Sequence, residues 1–217
     1  LEHELMTIKV IAADSHPIVT LGIEHALSRH TNVALVGTAH NSDEILNLVS
    51  NTPCDVLVTD QHATQAAHRE PLMRIIRSRY PAVRVVMHVC IENPTLVSTM
   101  SSLGIGAILH KRDAVEHLAP AIYAAHANAT YFSPTLLRSR HPDYCADRLA
   151  PPLTTREIEV LRLFLSGLSV CQIAAKLYRA KQTVSAHKTK AMAKLGVTSD
   201  ADLFRLNFQS GLFSYND

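Results

Sequence analysis

The sequence lacks any apolar run near the roughly 18–20 residues that crossing a bilayer requires, which argues against a membrane protein. It also lacks the short apolar stretch that marks a cleavable secretory leader. Its four cysteines (Cys54, Cys90, Cys145 and Cys171) are scattered and form no Cys-x-x-Cys pair, so reduced thiols in a cytoplasm are expected. No glycine-rich phosphate loop follows the first strand-like run, which disfavours a flavodoxin-like enzyme. Tryptophan is absent, and charged residues make up 18% of the chain, below the usual quarter. What remains is a chain of 217 residues, 47% apolar, able to bury a core in one large domain or two small ones. A natural start is expected at Met6, and Leu1–Leu5 are left aside.

A net charge of +2 hides an uneven distribution. Between Leu153 and Leu195 stand Arg156, Arg162, Lys176, Arg179, Lys181, Lys188, Lys190 and Lys194 against Glu157 and Glu159. Eight bases against two acids make that segment +6 and leave −4 for the rest, so a basic module lies at the C-terminal end.

Short β-branched runs alternate with amphipathic stretches from residue 7 to residue 127. Strands are predicted at 8–12, 33–37, 56–59, 83–89 and 107–109, and helices at 17–28, 42–50, 72–79, 94–103 and 115–127. Five βα units imply an α/β fold: a doubly wound parallel sheet with helices on both faces, whose strands are almost entirely apolar because both sides are covered. Prolines at 134, 142, 151 and 152 punctuate a linker over 128–150, with a short helix around 135–140. Beyond it only helical spacing appears, at 155–166, 170–177, 181–195 and 199–209, which gives a second, all-α domain of four helices. The expected division is 6–127, 128–150 and 151–217.

Val170, Ile173, Ala174 and Leu177 form one buried stripe, and a tight joint leads from it into a longer helix. That plan is the helix-turn-helix, whose second helix enters the major groove. At 100° per residue, Val184, Ala191 and Leu195 define the core face of the longer helix. The opposite face carries Gln182, Ser185, Ala186, Thr189 and Ala193, which are small or hydrogen-bonding and suited to close approach to base edges. Lys181, Lys188, Lys190 and Lys194 surround that face where phosphate contacts would be, and no acid intervenes between Lys176 and Leu195. Thr183 belongs to the same candidate DNA-binding set, while His187 points toward the core flank.

The runs Leu153-Thr-Thr-Arg156-Glu157-Ile-Glu159-Val-Leu161, Gly167-Leu-Ser169, Gln172-Ile173-Ala174, Thr183-Val184-Ser-Ala-His187 and Lys194-Leu195-Gly196-Val197 resemble the LuxR-type DNA-binding domain over some 50 residues. With its N-terminal half, the chain resembles NarL/FixJ response regulators, and within them the RcsB-like branch (His16-Pro17-Ile18-Val19; Asn93-Pro94). The resemblance implies a (βα)5 receiver joined to a LuxR-type four-helix domain in a transcription factor that binds promoter DNA as a dimer. A histidine kinase or phosphotransfer protein is implied upstream. Departures stand at the joint, where Tyr178 replaces the usual Gly or Asn. Ala180 replaces a capping residue, Gln182 a frequent Lys, and Thr189 an often basic position.

In the receiver the resemblance points to the carboxyl ends of the strands. Asp14 and Ser15 stand where the family has two acids, Asp60 at the phosphoacceptor, Val89 at the Ser or Thr, Ile108 at the aromatic switch and Lys111 at the conserved lysine. Ser15 leaves only Asp14 and Asp60 for Mg²⁺, so a weak metal site and no required cofactor are expected. Val89 offers no hydroxyl to report a phosphoryl group. The turn Gln61-His62-Ala63-Thr64-Gln65 also departs from the family pattern. An atypical receiver follows, with control independent of phosphorylation or exerted through pairing with another regulator. The alternatives are an ordinary phosphorylation switch and an auxiliary heterodimer subunit that reads little DNA itself. No enzymatic role is expected beyond self-phosphorylation chemistry at Asp60.

His62, His68, His88 and His110 are read as surface or packing residues rather than a metal or pH-sensing cluster, because alternation sets His88 and His110 apart from Val89 and Lys111. Cys90 is read as a packed thiol. Leu203, Phe204, Leu206 and Phe208, followed by Leu212 and Phe213, give the last helix more apolar surface than its own core needs, which suits a homodimer. The alternative for this element is a helix that simply caps its own core.

Overall fold

The structure, a computed structural model, describes residues 7–60, 63, 72–90, 92–138 and 151–210. Their N-terminal part is an α/β domain. In chain order come β1 (Ile8–Ala13), α1 (Pro17–Leu27), β2 (Val33–Ala39), α2 (Ser42–Asn51), β3 (Val56–Asp60), α3 (Leu72–Arg79), β4 (Arg84–Val89), α4 (Pro94–Ser102), β5 (Ala107–His110), α5 (Leu118–His126), β6 (Tyr131–Phe132) and α6 (Pro134–Arg138). The strands run parallel in the order β2-β1-β3-β4-β5-β6. Such a reversal of order beside β1 is the switch point where doubly wound sheets place their sites.

One face of the sheet packs Val10, Val56, Val58 and Val86 against Ile23 and Leu27 of α1 and Ala121 and Ile122 of α5. The other packs Ile11 and Leu57 against Ile45 of α2 and Leu72 and Ile76 of α3. Local signals set the helix starts. Asn41 accepts from the Glu44 amide at the head of α2, and Asn93 accepts from the Thr95 and Leu96 amides at the head of α4.

The segment expected to be a linker from residue 128 begins inside the first domain. Tyr131 and Phe132 add a sixth strand beside Ala107 and Ile108, and Ser133 and Leu136 are buried. Two paired residues are too few to show a period, which is why the sequence reads as linker there. α6 occupies the predicted short helix as far as Arg138. Residues 139–150, with Cys145, lie outside the described residues.

Four helices follow: α7 (Thr155–Leu165), α8 (Val170–Lys176), α9 (Lys181–Leu195) and α10 (Asp200–Ser210). Capping boxes open α7 (Thr154 with Glu157) and α8 (Ser169 with Gln172). Val160, Ile173, Ala174 and Val184 form their shared core. Gly196 ends α9 with φ 67°, the left-handed cap that glycine takes without strain.

A further apolar cluster joins the two parts. It contains Met87, Val89, Leu96, Met100 and Ile108 of the α/β domain together with Leu153, Leu161, Ala191, Leu195 and Leu203 of the helical one. Polar contacts fix the junction. Asn93 Nδ2 donates to the Leu195 carbonyl at 2.9 Å, Thr95 Oγ1 to the Lys194 carbonyl at 2.6 Å, and the Leu153 amide to Thr99 Oγ1 at 2.9 Å. The first two supply partners for carbonyls that the end of α9 leaves open.

Candidate functional site

The helical module presents its site on α9. Val184, Ala191 and Leu195 are buried, as the helical angles require, and the opposite residues Gln182, Ser185, Ala186, Thr189 and Ala193 are all exposed. Lys181, Thr183 and Lys190 are exposed as well, and His187 is half-buried at the edge. The face therefore stays open even though the end of α9 is tied to α4. A helix side with short, hydrogen-bonding residues, flanked by ammonium groups, fits the dimensions and charge of the major groove.

Two of the expected phosphate-contacting lysines are already engaged. Lys188 Nζ lies 2.6 Å from Asp200 and 3.6 Å from the centre of the Phe164 ring, with its side chain 14% exposed. Lys194 Nζ lies 2.7 Å from Glu157 and 3.0 Å from the Pro152 carbonyl. Both lysines bind their own fold because Lys188, four residues after Val184, and Lys194, three after Ala191, turn partly inward, and acids of α7 and α10 meet them there. Burial pushes the Glu157 carboxyl up, but Lys194 and the Thr154 cap outweigh it and hold the pKa below the ordinary value.

At the joint before α9, Tyr178 adopts φ 53° and is 94% exposed. The turn thus keeps the left-handed backbone that Gly or Asn adopts readily, at a cost on the order of 1–2 kcal/mol for a tyrosine. Ala180 makes no side-chain cap, as its methyl group dictates.

On α10 the four apolar residues divide. Leu203 is wholly buried and Leu206 half-buried against the molecule's own core, whereas Phe204 and Phe208 are 44% and 85% exposed. Leu203 is thus corrected from interface to core. Phe204 stacks on Phe164 with ring centres 5.8 Å apart. Leu212 and Phe213 lie outside the described residues.

In the α/β domain, Asp14, Asp60 and Lys111 converge at the carboxyl ends of β1, β3 and β5. Lys111 Nζ is 2.5 Å from Asp14 Oδ2 and 3.1 Å from Asp60 Oδ2. The other Asp60 oxygen accepts from the Ala63 amide at 2.6 Å. Burial pushes Asp14 up, but the Lys111 hydrogen bond, the His16 amide and the Lys111 charge together hold its pKa below the usual carboxylate value. Burial lowers Lys111, and the two carboxylates more than reverse this. His16, Asp14 and Asp60 bring donor atoms within 4.8 Å of one another. The sequence reading left His16 out of the pocket; the two-residue spacing from Asp14, which lets its ring reach Asp14 Oδ1 at 3.1 Å, is the signal that would have found it. Two carboxylates and an imidazole fit a weakly held divalent ion, and the Lys111 ammonium already supplies positive charge to both carboxylates.

Ser15 is exposed and bonds the His16 ring. Val89 and Ile108 are buried in the apolar cluster that continues into the helical module.

The expected grouping of histidines needs correction. Parallel register pairs Asp60 with His88 and Val89 with His110, so His88 and His110 take opposite faces of the sheet. Strand alternation does not extend to Lys111, which lies past the end of β5. Burial first, then the Lys111 charge, lowers His88 to a pKa of about 4, so it is neutral at physiological pH and no sensor. His62 and His68 lie outside the described residues, as do Gln61, Thr64 and Gln65. Cys90 is exposed rather than packed. Cys54 is half-buried, and burial lifts its thiol to a pKa of about 11, which makes it unreactive.

Known proteins share both parts. Residues 151–207 match the family described as bacterial regulatory proteins, luxR family. The chain is 33% identical over 210 residues to the transcriptional regulatory protein RcsB of Escherichia coli K12, covering 94% of each. A structure of Salmonella enterica serovar Typhimurium RcsB bound to a promoter, with a beryllofluoride phosphomimetic, superposes with a TM-score of 0.66 at 31% identity, covering 94% of this chain and 99% of that one. A structure of two RcsB dimers on two parallel DNAs gives 0.65 at 29% identity, covering 94% and 98%.

Proposed function

From the chain's membership of the RcsB family of transcriptional response regulators, we propose that it binds double-stranded promoter DNA as a dimer and does so without a phosphorylation switch. The open outer face of α9 carries this reading. Gln182, Ser185, Ala186 and Thr189 approach base edges, and Lys181 and Lys190 meet phosphates on either side. Phe204 and Phe208, four residues apart and exposed on α10, are the surface on which a second copy packs, so that two recognition helices reach half-sites about one turn of DNA apart.

Independence from phosphorylation rests on the receiver pocket. Lys111 already bridges Asp14 and Asp60 and offsets one of their two charges in the resting state. Val89 has no hydroxyl to draw toward a phosphoryl group, and moving it would open the apolar cluster shared with α9 and α10. A divalent ion held by Asp14 and Asp60 would offset negative charge at Asp60. Asp60→Ala in the full chain is accordingly expected to leave DNA affinity within about twofold, with or without an acyl-phosphate donor. A loss of regulation in the folded variant would reject this part.

The deciding experiment is selection from a random duplex library with the purified full chain, with and without the donor. Enrichment of paired half-sites in both arms is the expected result. Enrichment only with donor would establish an ordinary switch, and none in either arm would favour an auxiliary subunit of a heterodimer. Once a duplex is in hand, Lys190→Ala should lower the slope of log affinity against log salt by about one. Lys188→Ala should leave that slope unchanged and lower the melting temperature instead, because Lys188 bridges Asp200 and Phe164.

A further inference from the structure

A polar cleft of about 410 Å³ is lined by Glu92, Arg112, Asp113, Thr135 and Arg138, none of which belongs to the Asp14–Asp60–Lys111 pocket or to the outer face of α9. Its charges are unequally committed. Asp113 is engaged, accepting from the Thr135 amide at 3.1 Å and the Thr135 hydroxyl at 2.7 Å. Arg112 is 79% exposed and holds Glu92 at 2.8 Å, and Arg138 donates to Thr135.

Behind Glu92 stands His110, buried to 2% exposure. Its Nδ1 lies 3.1 Å from the Arg112 amide, which can only donate, so Nδ1 is the unprotonated nitrogen. The proton of the neutral ring is then on Nε2, which has no hydrogen-bond partner and faces Glu92 Oε1 across 3.9 Å. A buried N–H without an acceptor is costly, and the Glu92 carboxylate that could serve it is held by the Arg112 guanidinium instead.

We propose that this cleft is a binding site for a phosphate-type oxyanion, either free phosphate or a small phosphate monoester. The dianion takes the guanidinium groups of Arg112 and Arg138, since a doubly charged oxyanion competes well against one carboxylate for a guanidinium fork. Glu92, released from Arg112, settles onto the His110 Nε2–H. Both the incoming charge and the orphaned donor are then satisfied, with no covalent step. Glu92 directly precedes Asn93, whose amide holds the Leu195 carbonyl at the end of α9. Occupancy of the cleft is thus reported to the helix on which the proposed DNA reading rests, while the site itself does not depend on that reading.

The test uses the full chain without DNA. Inorganic phosphate and, separately, glycerol phosphate are titrated in at constant ionic strength while the His110 imidazole ¹⁵N signals are followed by NMR. Saturable binding of at least one probe is expected, with the Nε2 signal moving as it gains an acceptor. Tighter binding of glycerol phosphate would identify a monoester as the ligand class, and equal or tighter binding of inorganic phosphate would identify the free ion. Arg112→Gln and Arg138→Gln, both at surface positions, should each weaken binding at least tenfold, whereas Asp60→Asn and Lys181→Gln should leave it unchanged. Two results would overturn the site: no saturable shift at His110 with either probe, or binding that survives both arginine substitutions.

Discussion

Thr189→Glu is expected to weaken binding of the full chain to its selected duplex about a hundredfold or more, with the fold intact. Thr189 is exposed in the middle of the outer face of α9, between Ser185 and Ala193. A carboxylate there would be pressed toward phosphates and base acceptors, and like-charge juxtaposition at an interface costs several kcal/mol. About 2.7 kcal/mol is already a factor of one hundred. Glutamate is a better helix former than threonine, so α9 gains rather than loses local stability. Fluorescence anisotropy with a labelled duplex measures the affinity, and the thermal transition checks the fold. Affinity within threefold of the parent would mean that this side of α9 does not meet DNA.

The second large effect concerns stability. Lys111→Met should destabilise the protein by about 3–5 kcal/mol near neutral pH, because it strands Asp14 and Asp60 as buried charges without their shared cation. The pH dependence should also invert. In the parent, the Asp14 pKa is lowered by folding, so its contribution is complete above the unfolded value of about 3.9 and is lost as pH falls through the folded one. In Lys111→Met the burial of Asp14 is no longer outweighed by the lysine and favours protonation, so folding takes up protons and stability rises as pH falls toward the carboxylate range. Urea denaturation of both proteins across pH 4–8 measures this. Parallel curves for parent and variant would show that the lysine is not the counter-charge of the pocket.

Most of the fold was legible because periodicity was long and punctuation clear. The five βα units appear in the sequence as apolar runs of four to seven residues separated by amphipathic helices, and Asn93-Pro94 marks the head of α4. The outer face of α9 was legible for the same reason, since fifteen residues at 100° each leave little doubt about Val184, Ala191 and Leu195. β6 was not legible, because Tyr131 and Phe132 are a strand only by virtue of their partners Ala107 and Ile108.

Long side chains defeated the sequence differently. Periodicity places Lys188 and Lys194 on the flank of α9, but a four-carbon stem lets each ammonium group turn toward Asp200, Phe164 or Glu157 from other helices. The junction between the domains was also hidden. Asn93 and Thr95 read as helix-start residues, and they are, yet their side chains also hold the carbonyls of Leu195 and Lys194, about a hundred residues away. Nothing local distinguishes a cap that serves one helix from a cap that serves two.

Backbone amide NMR of the full chain, titrated with its selected duplex, tests most directly whether the outer face of α9 reads DNA. The largest shifts should fall on Gln182, Ser185, Ala186, Thr189 and Lys190, with smaller ones at Lys181 and little change around Asp14 and Asp60. Binding that leaves those α9 amides in place while shifting others would contradict the claim.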